Sequence, residues 1–215
     1  MSKVRYIRGL RGNLYIVSAP SGSGKTTLLD HIINKFDDLI FSVSYTTRKP
    51  RGRESHGVEY FFVGRDEFLG MVERGDFLEW AEVHGNYYGT GRQFVEENLE
   101  AGRSVILDID VQGKVLVKER FPEAITVFLM PPSYEELERR LKARSLEDDE
   151  TVRMRLAIAG KEISRYRDYD FIVINDNINE SAAVLEAVVR AGSAKPVNQE
   201  ARIRTIIDTF GRGDA

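Results

Sequence analysis

The chain has 215 residues, a formal net charge of −3, 42% hydrophobic residues and no cysteine. This supports one domain with a sizeable core and room for insertions, and it excludes disulfides, thiol catalysis and cysteine-based zinc sites. No apolar run approaches transmembrane length, and a chain of this charge binds polyanions only through a local basic patch.

Met1–Arg11 carries Lys3, Arg5, Arg8 and Arg11 without a long apolar stretch. It reads as a solvated tail rather than a secretory signal, and the chain as a soluble cytoplasmic protein. Leu14–Val17 is a short apolar strand that runs into Ala19, Pro20, Ser21, Gly22, Ser23, Gly24, Lys25, Thr26 and Thr27. This is nearly the phosphate-cradling pattern G-x-x-x-x-G-K-[ST], with Ala19 standing where the first glycine is expected. Gly22 and Gly24 let backbone N–H groups converge on one small volume, and the helix opening at Lys25 adds its positive dipole end. Lys25 supplies a full charge for β/γ-phosphates, and the Thr26 hydroxyl suits Mg²⁺.

Lys25 to about Phe36 is a helix, with Leu28, Leu29, Ile32, Ile33 and Phe36 at helical spacing. Leu39–Tyr45 alternates as a strand, residues 46–58 are polar and turn-rich, and Glu59–Val63 is a strand. Arg65–Arg74 is a short amphipathic helix stopped by Gly75, and Phe77–Val83 and Tyr87–Tyr88 are strands around a turn at Gly85 and Asn86. Helices over Gln93–Ala101 and Gly113–Arg120 flank the strand Ser104–Ile109, at whose end lie Asp108 and Asp110. Ala124–Met130 is another buried strand. Ser133 caps a helix reaching about Arg144, Leu146–Glu150 is an acidic turn, and a second helix runs from Thr151 to about Tyr166. Phe171–Ile174 is a strand and Glu180–Ala191 a helix; Ala201–Phe210 is helical beyond a break at Lys195 and Pro196.

Strands near 14, 105, 125 and 171 are continuous apolar runs that alternate with helices, the pattern of a parallel sheet covered on both faces. The expected fold class is α/β: a three-layer P-loop fold with a parallel sheet core over 1–42, 91–132 and 167–215, a small mixed-β insertion over 43–90, and a helical lid over 133–166. Within the insertion, Arg48 and Arg51 lie three apart around Pro50, so one turn can aim both guanidiniums at a phosphate. Tyr60 and Tyr88, on nearby strands, can donate two more hydrogen bonds. On spacing alone a solvated basic loop fits equally well.

The motifs taken in order are far more specific. Ser44, Arg48 and Arg51, then Gly57, Tyr60 and Phe62, then Glu79 and Trp80, then Gly85 through Thr90, then Asp108, Ile109, Asp110, Gln112 and Gly113, resemble guanylate kinase over Leu14 to about Val189. The resemblance implies that Arg48, Arg51, Tyr60 and Tyr88 hold the phosphate of GMP. Ser44, Glu79, Thr90 and Asp108 would surround the guanine. A carboxylate at Glu79 suits the donors at guanine N1 and N2, and adenine would set an acceptor against it. The family usually shows Arg-x-Gly-Glu in this loop, whereas this chain has Arg51, Gly52, Arg53 and Glu54, with the glycine one place early.

Arg139, Arg140, Arg144, Arg153 and Arg155 cluster on the helix pair after Pro132. Arg139 and Arg153 read as surface ion pairs. Positions matching Arg140, Arg144 and Arg155 serve the family as charge-neutralising lid arginines. Asn175, at the end of the last core strand, matches a residue near the ATP adenine, and a helix-leading turn residue is the competing account. Gly160 has no functional account. The resulting expectation is an ATP:GMP phosphotransferase, with Mg²⁺ as cofactor and Lys25, Arg48, Arg140, Arg144 and Arg155 as catalytic residues. Its partners would be ATP and GMP or dGMP, with no nucleic acid or membrane partner and the oligomeric state open. Asp108 and Asp110 either orient GMP or hold Mg²⁺ through water. A non-catalytic binding module of the same family and a P-loop kinase with a non-guanine acceptor are the rival readings.

Overall fold

The computed structural model describes residues 11–83, 85–144 and 148–210; of Arg144 it describes the backbone only. The basic start up to position 10 and part of the expected acidic turn, residues 146 and 147, lie outside the described residues. In chain order the elements are β1 (Leu14–Ser18), α1 (Lys25–Ile33), β2 (Leu39–Phe41), β3 (Tyr45–Thr46), β4 (Phe61–Phe62), α2 (Arg65–Arg74), β5 (Phe77–Val83) and β6 (Asn86–Gly91). Then come α3 (Arg92–Glu100), β7 (Ser104–Asp108), α4 (Val111–Arg120), β8 (Ile125–Met130), α5 (Tyr134–Arg144) and α6 (Asp149–Ile163), followed by a 3₁₀ turn (Tyr166–Asp168). β9 (Phe171–Ile174), α7 (Ile178–Ser193) and α8 (Pro196–Phe210) complete the described chain.

Five parallel strands in the order β2-β7-β1-β8-β9 form the central sheet. β1 is buried along its whole length, as its uninterrupted apolar sequence requires. One face of the sheet packs on α1 and α7 through Leu28, Leu29, Ile32, Ala182, Leu185 and Val189. The other packs on α3 and α4 through Val95, Leu99 and Val117. These three layers put the carboxyl end of β1 between those of β7 and β8, and the register pairs Val17 with Asp108. Ligands bind at such a crevice in open α/β sheets.

The strand expected over Leu39–Tyr45 divides. Leu39–Phe41 pairs with β7 in the central sheet, while Tyr45–Thr46 opens a second sheet of four strands in the order β4-β3-β6-β5. Alternation reports a half-buried strand but not which partner it pairs with. The pairing expected at Tyr87–Tyr88 lengthens to Asn86–Gly91, through two glycines that strand propensity discounts. At Gly89 a Cβ would stand 2.9 Å from the Phe77 ring, so the bare backbone lets β6 lie on the aromatic core of this subunit of structure. That core is Phe68, Phe77 and Tyr87, with the Phe68 and Phe77 rings stacked 4.5 Å apart.

α5 and α6 pair through Leu137, Leu141, Val152, Leu156 and Ala159. The Ser133 cap is present, its Oγ accepting from the Glu136 amide at 3.2 Å. α6 begins two residues before the expected Thr151, because Asp148 caps it, accepting from the Thr151 amide at 2.8 Å. α8 likewise begins earlier than residue 201, at Pro196, a residue suited to a first helical position. No helix among the described residues is long and apolar enough to cross a membrane.

Candidate active site

The loop after β1 turns where only glycine is comfortable. Gly22 has φ 90° and Gly24 φ 88°, and Gly24 is the N-cap of α1, so the first amides of the helix are left for an anionic ligand. Asn175 braces this loop from the end of β9. Its Nδ2 donates to the Ser23 carbonyl at 2.7 Å, and its own amide is fixed by the Met130 carbonyl at 2.8 Å. A Cβ on Gly24 would stand 2.5 Å from the Asn175 amide nitrogen, so glycine is needed here for space as well as for φ.

The lid docks on the same loop. Arg140 donates to the Ser23 carbonyl at 3.4 Å, to the Asn175 carbonyl at 3.1 Å and to Glu136 at 2.6 Å. Arg139 and Arg140 together hold the Glu136 carboxyl down to about 2. Leu137 and Leu141 cover Gly22, and Arg155 donates to Ser21 Oγ at 3.2 Å. Arg139 and Arg153 are exposed, as expected of surface residues, and the Arg144 side chain is outside the described part. Gly22, Gly24, Thr27, Arg140 and Asn175 line a cleft of about 450 Å³.

A second cleft of about 420 Å³ gathers most of the residues expected for the acceptor: Ser44, Tyr60, Glu79, Tyr88 and Asp108. Ser21 of the loop and Arg155 of the lid line it too, so the phosphate-binding loop borders both clefts. Lys25 at the head of α1 pairs with Asp108 at the end of β7. Asp110 has a different occupation from Asp108. It caps α4, accepting from the amides of Gln112 at 3.0 Å and Gly113 at 2.8 Å.

Glu79 and Thr90 face each other across β5 and β6, and Thr90 Oγ1 donates to Glu79 Oε1 at 2.6 Å. Glu79 is 8% exposed, and burial pushes its carboxyl up to about 7 against the opposing Thr90 hydrogen bond. Burial also pushes the Tyr60 phenol up, which keeps it a hydrogen-bond donor.

Arg48 is buried and bidentate to Glu54, at 2.8 and 2.9 Å, with its guanidinium 5.3 Å from the centre of the Tyr60 ring. Glu54 holds the Arg48 pKa up, and Arg48 holds that of Glu54 down. The early glycine finds its reason here. Gly52 takes φ 55° in a turn closed by the Glu54 amide on the Arg51 carbonyl, and the turn delivers Glu54 to Arg48. Arg51 is exposed on this loop, and neither its side chain nor that of Arg48 lines the cleft wall.

Four contacts were not legible in the sequence. Glu54 clamps Arg48. Thr46 and Thr47 pin the loop to the Tyr87 backbone, Thr46 donating to its carbonyl at 3.0 Å and Thr47 accepting from its amide at 2.9 Å. Glu162 on α6 has its carboxyl pushed up by burial and by Asp110, with Lys25 pulling it down. No spacing rule joins Thr46 and Thr47 to Tyr87, 41 and 40 positions away, and the Glu54 clamp on Arg48 depends on how the turn between them is made.

A glycine-rich loop feeding a helix, a lysine at its head, a second polar cleft and an arginine-bearing helical hairpin over both define a P-loop nucleotide phosphotransferase. Among such proteins the chain belongs to the guanylate kinase family, whose sequence pattern matches residues 11–192. Guanylate kinase of Geobacter metallireducens is 46% identical over 202 residues, covering 94% of this chain and 98% of that protein. That of Geobacter sulfurreducens is 51% identical over 180 residues, covering 84% and 89%. The crystal structure of guanylate kinase from Anaplasma phagocytophilum superposes with a TM-score of 0.72 at 35% identity, covering 89% of this chain and 92% of that one.

Proposed function

We propose that this chain transfers the γ-phosphate of ATP to GMP, giving ADP and GDP, by direct in-line displacement. ATP takes the cleft beside Gly22, Gly24, Thr27 and Asn175, with Ala19–Thr27 wrapping its phosphates. GMP takes the cleft of Ser44, Tyr60, Glu79, Tyr88 and Asp108, with Thr90 orienting Glu79. Both clefts lie in the size range of small-ligand sites, which supports free nucleotides as substrates, with GMP or dGMP as acceptor, and we place the enzyme in the cytoplasm. We divide the chain accordingly into a phosphate-binding core (1–42, 91–132 and 167–215), a GMP-binding insertion (43–90) and a lid (133–166).

The acceptor is already a phosphate oxyanion, so no strong base is required, and catalysis is positioning plus electrostatics. Lys25 exchanges Asp108 for phosphate oxygens when ATP enters. Arg48 and Arg51, with the Tyr60 and Tyr88 hydroxyls, hold the GMP phosphate. Arg140, Arg144 and Arg155 neutralise the moving group and exclude water as the lid seats. Thr26 is exposed in the first turn of α1, next in the chain to Lys25, whose ammonium pairs with the Asp108 carboxylate. This all-oxygen donor set fits Mg²⁺, an ion bound through one or two protein ligands plus substrate phosphates. Bound there, it would neutralise charge on the β- and γ-phosphates.

The observation that carries the reading is the buried Glu79 carboxylate, hydrogen-bonded to Thr90, in a cleft shared with the phosphate loop. Replacing it by Glu79→Gln exchanges an acceptor for a donor opposite guanine N1 or N2. The KM for GMP should rise on the order of 10- to 100-fold, the worth of a charged hydrogen bond, with the KM for ATP little changed. Equal weakening of both substrates would contradict the assignment.

A further inference from the structure

Gly113 is the third residue of α4, with an ordinary helical backbone rather than a left-handed one. Alanine suits such a position better than glycine, which loses more backbone entropy on folding. The surroundings supply a reason for the glycine. A Cβ on Gly113 would stand 2.9 Å from Glu79 Oε2 and 3.3 Å from Glu79 Cδ, with Ile109 Cβ next at 3.4 Å. The Glu79 carboxylate therefore occupies the space that any other side chain at 113 would claim. Its other oxygen is fixed by Thr90 at 2.6 Å. The helix that brings Gly113 to this place is itself held by Asp110, which accepts from the Gly113 amide at 2.8 Å.

We propose that Gly113 is a specificity-determining positioning residue: its bare Cα forms the back wall that lets Glu79 hold its carboxylate in the orientation that reads guanine. The inference rests on the reading of Glu79 as the guanine acceptor, and it adds a second residue, on a different element, on which base selection depends. A methyl group at 113 meets the tip of a flexible side chain first, so the carboxylate gives way and the backbone stays. The displaced carboxylate then loses the Thr90 bond, or its aim at the base, or both. The phosphate loop, Lys25 and the ATP cleft are not lined by Gly113 and are untouched.

The test compares Gly113→Ala, Glu79→Ala and the double variant, reading kcat, the KM for GMP and for ATP, and the thermal midpoint. Gly113→Ala should raise the KM for GMP on the order of tenfold or more, the loss of one charged hydrogen bond, with the KM for ATP within about twofold and the midpoint not lowered. In the Glu79→Ala background the same substitution should add nothing to the KM for GMP, because no carboxylate remains to be pushed. If Gly113→Ala alone does not fold but the double variant does, the clash with Glu79 is real but the carboxylate does not give way, and the inference of a role in base selection is overturned. An unchanged KM for GMP in Gly113→Ala, an additive effect in the Glu79→Ala background, or failure of both variants to fold would overturn it. An unchanged KM for GMP in Glu79→Ala would instead remove the guanine assignment itself, and this inference with it.

Discussion

In the guanine-reading role proposed for it, Glu79 is a carboxylate that works ionised while its surroundings favour the proton. Burial, and less strongly the charge of Asp110, push it up to about 7. Guanine N1–H and N2–H need a proton-free acceptor, so below about pH 7 GMP must expel a proton as it binds. The KM for GMP should fall as pH rises from 6 to 8, and the Glu79→Gln variant should keep only the part of that dependence that the GMP phosphate, with its second pKa of about 6, supplies. Calorimetry at pH 6 in buffers of different ionisation enthalpy counts the protons released, and the Glu79→Gln variant should release fewer than the parent chain; equal release by the two would contradict it. Stability runs the other way. A carboxyl raised in the folded state favours folding in its protonated form, fully below its ordinary value near 4.5, and that contribution is lost as pH rises through about 7. The identity of Glu79 as a candidate was legible from its place in an ordered set of motifs. Its burial, its bond to Thr90 and the back wall at Gly113 were not, because they depend on β5, β6 and α4 meeting in space.

At the scale of elements, the lid is a helix pair with a small core of its own, and that core also seats on the phosphate loop. Leu141 is fully buried, and both it and Leu137 lie within about 3 Å of where a side chain on Gly22 would begin. Leu141→Ala should cost about 2–5 kcal/mol of local stability by leaving a cavity between α5, α6 and the loop. Hydrogen exchange should show this as faster exchange in α5 and α6, with β1, β7 and β8 unchanged; uniform acceleration would mean that the lid is not a separate unit. Helix positions were legible because periodicity and caps are local: α2 spans the expected Arg65–Arg74, and Ser133 and Gly75 act where their chemistry puts them. The strand over Leu39–Tyr45 was legible as extended chain only. Its division between two sheets is set by β7 on one side and β6 on the other, and neither partner is written in the segment itself. The turn at Gly52 belongs in the same group, since its purpose becomes clear only when Glu54 is seen on Arg48.

At the scale of the molecule, the parallel sheet followed from apolar runs alternating with helices, while the strand order β2-β7-β1-β8-β9 did not. That order sets Lys25 beside Asp108 and lets one loop border both clefts. Because the two clefts proposed to hold nucleotides draw on the core sheet, the second sheet and the helical hairpin together, ligands should stabilise the whole chain. At 100 times its Kd, one bound nucleotide contributes about 2.7 kcal/mol, which for a chain of this length raises the thermal midpoint by roughly 5–10 °C. Differential scanning fluorimetry with GMP against AMP at equal concentration checks this; equal shifts would deny the guanine preference.

The central claim is that one chain both holds ATP phosphates and selects guanine as acceptor. A coupled ADP-release assay with ATP and Mg²⁺, run with GMP, dGMP, AMP, CMP and UMP in turn, tests it most directly. Turnover with GMP and dGMP, and none above background with the other three, is the predicted result; turnover with AMP comparable to GMP, or none with any acceptor, would contradict it.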